Sequence, residues 1–169
     1  MLVLLRDPRS IAESWVQSKF DHRSSLEDVG YRWATSMRAL EGWLDPANAA
    51  LGRERLHFVS FENLARNPAN EYKKILDAIG LAPDPDAITY AVDPPVIGSS
   101  FGHERVDPTS RSRLKFTPEP RPEGFDPTSR WSHWSVQTHT RFNRTCGTIM
   151  SRWGYPPIKR TDPAHQFHT

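Results

Sequence analysis

Apolar positions along the chain change their spacing from continuous runs to helical recurrence and back. Leu2-Val3-Leu4-Leu5 is an unbroken apolar run, the pattern of a short strand covered on both faces. Leu56-His57-Phe58-Val59-Ser60 is the only other run of this type evident, and covered strands need neighbours, so the pair predicts an incomplete parallel sheet. Between the runs, Asp7-Pro8 is an N-cap with proline at the first helical position, and Ile11, Ala12 and Trp15 then recur at helical spacing in a helix to about Phe20. Ser25 with Asp28 marks a second cap, and Val29, Trp33, Met37, Leu40 and Leu44 form one stripe that Asp45-Pro46 is expected to end.

After the second run, Asn67-Pro68 starts a helix in which Tyr72, Ile75, Leu76 and Ile79 share a face, with Gly80 where a left-handed C-cap belongs. Residues 83–92 hold one short helix, and 93–132, rich in Pro, Gly, Ser and Arg without a sustained period, read as an ordered loop. A last helix from about Val136 to Trp153 turns Phe142, Cys146, Ile149, Met150 and Trp153 inward and stops at Gly154. The order strand-helix-helix-strand-helix predicts an α/β layer fold with parallel strands.

Composition narrows the setting. The 169 residues suit one domain. With 22 basic against 20 acidic residues there is no basic face of the kind nucleic acid requires. The single cysteine, Cys146, excludes an internal disulfide framework and fits a reducing, cytoplasmic compartment. No apolar run approaches the ~20 residues of a membrane-spanning helix, and Met1 to Leu5 is too short for a signal peptide.

Candidate chemistry lies at the first strand-helix turn. In open α/β sheets ligands bind beyond the carboxyl ends of the strands, and Arg6 emerges at such an end. A guanidinium holds phosphate through paired hydrogen bonds, and Ser14, sharing a helix face with Ser10, adds a hydroxyl donor. The same residues also fit a plain arginine paired with a carboxylate and a solvated serine.

The segment Leu2-Val3-Leu4-Leu5-Arg6-Asp7-Pro8-Arg9-Ser10-Ile11-Ala12-Glu13-Ser14-Trp15 resembles the 3′-phosphate-binding segment of sulfotransferases that use 3′-phosphoadenosine 5′-phosphosulfate (PAPS), in which a strand ends in arginine and a serine eight positions later completes the site. The resemblance continues through Phe58-Val59-Ser60-Phe61-Glu62-Asn63-Leu64-Ala65-Arg66-Asn67-Pro68 and the helix ending at Gly80-Leu81, and less specifically through Trp131-Ser132-His133-Trp134 and Arg152-Trp153-Gly154-Tyr155.

The resemblance implies an incomplete P-loop-NTPase-like parallel sheet flanked by helices, with residues 1–155 the C-terminal part of a sulfotransferase domain and 156–169 a flexible tail. It also implies PAPS, or adenosine 3′,5′-bisphosphate, as the cosubstrate, with Arg6 and Ser14 at its 3′-phosphate. Phe61 stands where many relatives carry a tyrosine near the adenine, and is read equally as a base-packing ring or a core aromatic. The family's 5′-phosphosulfate loop and catalytic base lie upstream of the matched segment without counterpart here, so no catalytic residue is assigned and the chain is expected to be a truncated form. The full-length protein would transfer a sulfuryl group to a hydroxyl or amine on a small-molecule or carbohydrate acceptor; the alternative is a non-catalytic nucleotide-binding or interaction protein.

Other signals resolve to structure. Residues 98–105 read as a surface loop, because a full Gly-x-x-Gly-x-x-Lys pattern is absent. The seven histidines form no metal-ligand spacing, Asn143-Arg144-Thr145 is a chance sequon within a helix, and Cys146 is a core residue.

Overall fold

The computed structural model describes residues 1–17, 23–51, 56–92 and 123–158. Strand β1 (Leu2–Leu5) and strand β2 (His57–Ser60) pair in parallel, Leu2 opposite His57 through Leu5 opposite Ser60. Around them run α1 (Pro8–Gln17), α2 (Leu26–Leu51), α3 (Phe61–Arg66), α4 (Pro68–Ala78), α5 (Pro85–Val92) and α6 (Val136–Arg152). The parallel pairing has a direct consequence for the site. Both strands finish at the same edge of the sheet, so Arg6 and Phe61, the residues that follow them, emerge side by side.

The face of the sheet bearing Leu5 and Phe58 meets the helical layer, where Leu5 packs on the core and the Phe58 ring lies 5.7 Å from that of Trp153. On the opposite face Leu2 and Leu4 are 40% and 60% exposed. The continuous apolar run therefore does not form a strand covered on both faces. Among the described residues the sheet has two strands, and no element lies over Leu2 and Leu4 to bury them.

Helix α2 departs from the expected stop at Asp45-Pro46 and continues to Leu51 with Pro46 inside it. Proline deprives the helix of one hydrogen bond, but the residues beyond it include three alanines, strong helix formers, and Ala47 is buried. The short α3 was not legible as a helix. Ser60 caps it, its Oγ accepting from the Asn63 amide at 3.2 Å, and Asn67 separates it from α4. Gly80 (φ 75°) and Gly154 (φ 83°) take the left-handed conformation expected of them after α4 and α6. Ile79 is exposed, so Leu76 alone of the predicted α4 face is fully buried.

Helices α1, α2 and α6 enclose a core of Ala12, Val29, Ala34, Met37, Trp134, Phe142, Cys146, Ile149 and Met150. Cys146 belongs to this packing, and burial pushes its thiol pKa up to about 12. No helix among the described residues is long and apolar enough to cross a membrane.

The crossing of α2 over α6 depends on Gly30. A Cβ there would lie 2.8 Å from Phe142 Cε2 and 3.3 Å from Cys146 Sγ, and the Phe142 ring is fully buried. In an open helix Gly→Ala gains about 1 kcal/mol, whereas overpacking a closed core costs about 1–3 kcal/mol. Gly30→Ala is therefore expected to lower the urea midpoint, and a raised midpoint would show that the crossing has slack.

Candidate functional site

The site begins with how the β1–α1 turn is fixed. Asp7 caps α1, its Oδ1 accepting from the Arg9 amide at 2.8 Å, and its carboxylate holds the Arg9 side chain through Nε and Nη2, the latter at 2.7 Å. Both side chains are almost fully buried. The Arg9 guanidinium also lies over the Trp131 ring, 4.0 Å from its centroid, and Nη1 donates to the Pro156 carbonyl.

Glu62 joins this turn to the end of β2. From α3 its Oε1 accepts from the Asp7 amide at 2.8 Å, while Oε2 accepts from the hydroxyls of Ser60 and Tyr155 at 3.1 and 3.2 Å. Burial, followed by the charge and hydrogen bond of Glu62, raises the Tyr155 pKa well above the usual phenol range. Asp7 and Glu62 thus have their oxygens committed to protein donors.

Arg6 stands between these anchors in a different state. Its guanidinium rests on the Phe61 ring, 4.2 Å from the centroid, and Nη2 donates to the Pro127 carbonyl at 3.1 Å. Its Nε is buried without a hydrogen-bond partner, and among the described residues no carboxylate is hydrogen-bonded to it. Burial, then the nearby charge of Arg130, lowers its pKa, against weaker support from Glu62 and Asp7. A half-buried cation with an unused donor and no bonded counter-charge is suited to receiving an anion.

Of the three predicted site residues, the structure brings Arg6 and Phe61 into contact. Ser14 is half-buried in the second turn of α1 and is hydrogen-bonded to neither. Ser10, on the same face, is fully buried, and its Oγ donates to the Thr128 carbonyl at 3.0 Å. Its hydroxyl is therefore committed to the fold.

Sequence reasoning did not single out the 126–130 turn or Glu62. Asp126 organises the turn by accepting from the amide and hydroxyl of Thr128, at 2.8 and 2.7 Å, and from the hydroxyl of Ser129. Burial would raise the Asp126 pKa, but these hydrogen bonds outweigh it and hold the carboxyl below its usual value. The usable signal was local: Asp-x-Thr-Ser is a pattern in which an Asp side chain bonds its own following backbone. The predicted loop at 98–105 lies outside the described residues. Asn143 sits within α6 with Oδ1 buried, and among the described residues no three His, Cys, Asp or Glu side chains converge as a metal would need.

Compared with known families, residues 1–86 match the profile of the sulfotransferase family, a span that contains both strands, α1 through α4 and all three predicted site residues. No curated protein and no solved structure matches the chain.

Proposed function

Because the chain belongs to the sulfotransferase family, we propose that Arg6, Ser14 and Phe61 hold the 3′-phosphoadenosine end of PAPS, for sulfuryl transfer to a hydroxyl or amine on a small-molecule or carbohydrate acceptor. The observation that carries this reading is the state of Arg6: a cation at the carboxyl end of two parallel strands, stacked on an aromatic ring, with a buried donor unused. A phosphate monoester brings about two negative charges to that point. Ser14 supplies a hydroxyl from the adjoining helix, and the exposed part of the Phe61 ring offers an apolar surface to the base.

PAPS, when bound, supplies a sulfuryl group whose sulfur–oxygen bond to the 5′-phosphate breaks as the acceptor's oxygen or nitrogen bonds to sulfur and gives up a proton. The part assigned to this chain is positioning. Fixing the 3′-phosphate and the adenine at one end of the nucleotide restrains where its other end lies. The rigidity comes from the Asp7–Arg9 pair and from Glu62, which keep the two strand ends in register.

The test is calorimetric titration of the whole protein with adenosine 3′,5′-bisphosphate and with adenosine 5′-phosphate. Arg6→Ala is expected to lose about 1.5–3 kcal/mol of bisphosphate affinity, the range for a hydrogen bond to a charged group, and little for the nucleotide without a 3′-phosphate. Unchanged bisphosphate binding would remove Arg6 from the site.

A second reading, nucleotide binding without transfer, draws on a specific observation. The buried carboxylates Asp7, Glu13 and Glu62 all accept hydrogen bonds from protein donors, Glu13 from Trp134 Nε1 at 2.7 Å and from Gln17. None is poised as a general base. Release of labelled sulfate onto a panel of alcohols and amines separates the two readings, since a pure binder retains bisphosphate affinity and transfers nothing.

A further inference from the structure

The two arginines of the β1–α1 turn each lie over an aromatic ring. Arg9 sits over Trp131, 4.0 Å from the centroid, and Arg6 over Phe61 at 4.2 Å. They differ in what else holds them. Arg9 is pinned by the Asp7 carboxylate through Nε and Nη2 and gives Nη1 to the Pro156 carbonyl, so its donors serve the fold. Arg6 gives Nη2 to the Pro127 carbonyl and keeps Nε buried without an acceptor.

We propose that Phe61 is a positioning residue for Arg6, and that through this contact the ring sets the site's preference for nucleotides that carry a 3′-phosphate. The inference rests on the reading of the site given above and goes beyond the apolar surface that the ring offers to the base. Its physical basis is the kind of partner a ring is. An aromatic face attracts a cation through its quadrupole. A carboxylate in the same place would hold Arg6 more strongly, but it would take up the forked N–H donors by which a guanidinium grips a phosphate. The ring therefore fixes the cation and leaves the fork open.

The backbone sets the ring against the cation. Phe61 is the first residue of α3, and both its neighbours are tied down. Ser60 caps the helix by accepting from the Asn63 amide and donates to Glu62 Oε2, while Glu62 Oε1 accepts from the Asp7 amide. That last bond joins the residue after Phe61 to the residue after Arg6. Because Leu5 stands opposite Ser60 in the parallel register, Arg6 and Phe61 leave the sheet at the same level.

The experiment titrates wild type, Phe61→Leu and Phe61→Tyr, each as the whole protein, calorimetrically with adenosine 3′,5′-bisphosphate and adenosine 5′-phosphate. The quantity read is the ratio of the two affinities, in which any loss through the base is common to both nucleotides and cancels. Phe61→Leu keeps an apolar side chain and removes the quadrupole, and is expected to lower the ratio by about 5- to 30-fold, the range of a cation–π contact converted to affinity. Phe61→Tyr keeps the ring and is expected to keep the ratio. A ratio that Phe61→Leu leaves unchanged overturns the positioning role and leaves the 3′-phosphate site standing. Equal falls in the leucine and tyrosine variants also overturn it, since the ring face would not be what matters. Absence of discrimination in wild type overturns the 3′-phosphate site itself. Circular dichroism checks folding. Should Phe61→Leu unfold, a ring-fluorinated phenylalanine at position 61 decides, because it keeps the shape and withdraws the negative charge from the ring face. The ratio is then expected to fall, and an unchanged ratio overturns the proposal.

Discussion

Arg9→Met is expected to destabilise the protein by about 3–5 kcal/mol, the range for breaking a buried ion pair from one side. Methionine replaces the apolar stem over Trp131 but supplies no charge, so the Asp7 carboxylate remains buried with only the Arg9 backbone amide as partner. The Pro156 carbonyl also loses its donor. Because whole domains are stable by only about 5–15 kcal/mol, this single change should move the urea midpoint severely. Asp7→Asn combined with Arg9→Met removes the stranded charge while keeping a capping side chain. The double variant is therefore expected to recover part of the loss. A single variant within 1 kcal/mol of wild type would mean that the pair contributes nothing net, as some surface pairs do, despite its burial.

Arg9 also shows where sequence reading reached its limit. The β1–α1 junction was legible because its signals are local: an apolar run, a capping Asp-Pro and helical spacing. That Arg6 would emerge beside a second strand end followed from parallel pairing of the two runs. Nothing local separates Arg9, which is buried, from a solvated surface arginine, because the groups that bury it, Trp131 and Pro156, arrive from more than a hundred residues downstream. Glu13 and Glu62 were hidden for the same reason, their partners Trp134 and Tyr155 belonging to the far end of the chain.

The misread elements have separate causes. Pro46 marks a helix end by backbone chemistry, yet α2 continues through it into an alanine-rich turn in which Ala47 is buried. The apolar run of β1 reports hydrophobicity alone, so it could not show that Leu2 and Leu4 would be exposed while Leu5 packs on the core. Ser10 and Ser14 share a helix face, and the interval from Arg6 in the family resemblance singled out Ser14. The seating of the 126–130 turn adds a distinction that the residues alone did not carry, since it takes the hydroxyl of Ser10.

Glu62→Ala should cost about 2–5 kcal/mol, because it strands the buried Asp7 amide and the Tyr155 hydroxyl together, each unsatisfied group costing about 1–3 kcal/mol. It should also weaken bisphosphate binding, since the joint that keeps the Phe61 ring beneath Arg6 is the one removed. Glu62→Gln separates charge from shape. It retains an acceptor for the Asp7 amide, so most stability at neutral pH should survive. It also removes the negative charge that, after burial, keeps Tyr155 protonated. A phenol whose folded pKa is raised stabilises the protein fully below the unfolded value of about 10 and loses that contribution as pH rises through the folded value. With glutamine the folded value moves back toward 10, so the alkaline loss of stability should be smaller, and phenolate absorbance should appear at lower pH. Urea midpoints measured from about pH 9 to 11 read this directly. Identical alkaline profiles for wild type and Glu62→Gln would show that the carboxylate's charge does not reach Tyr155.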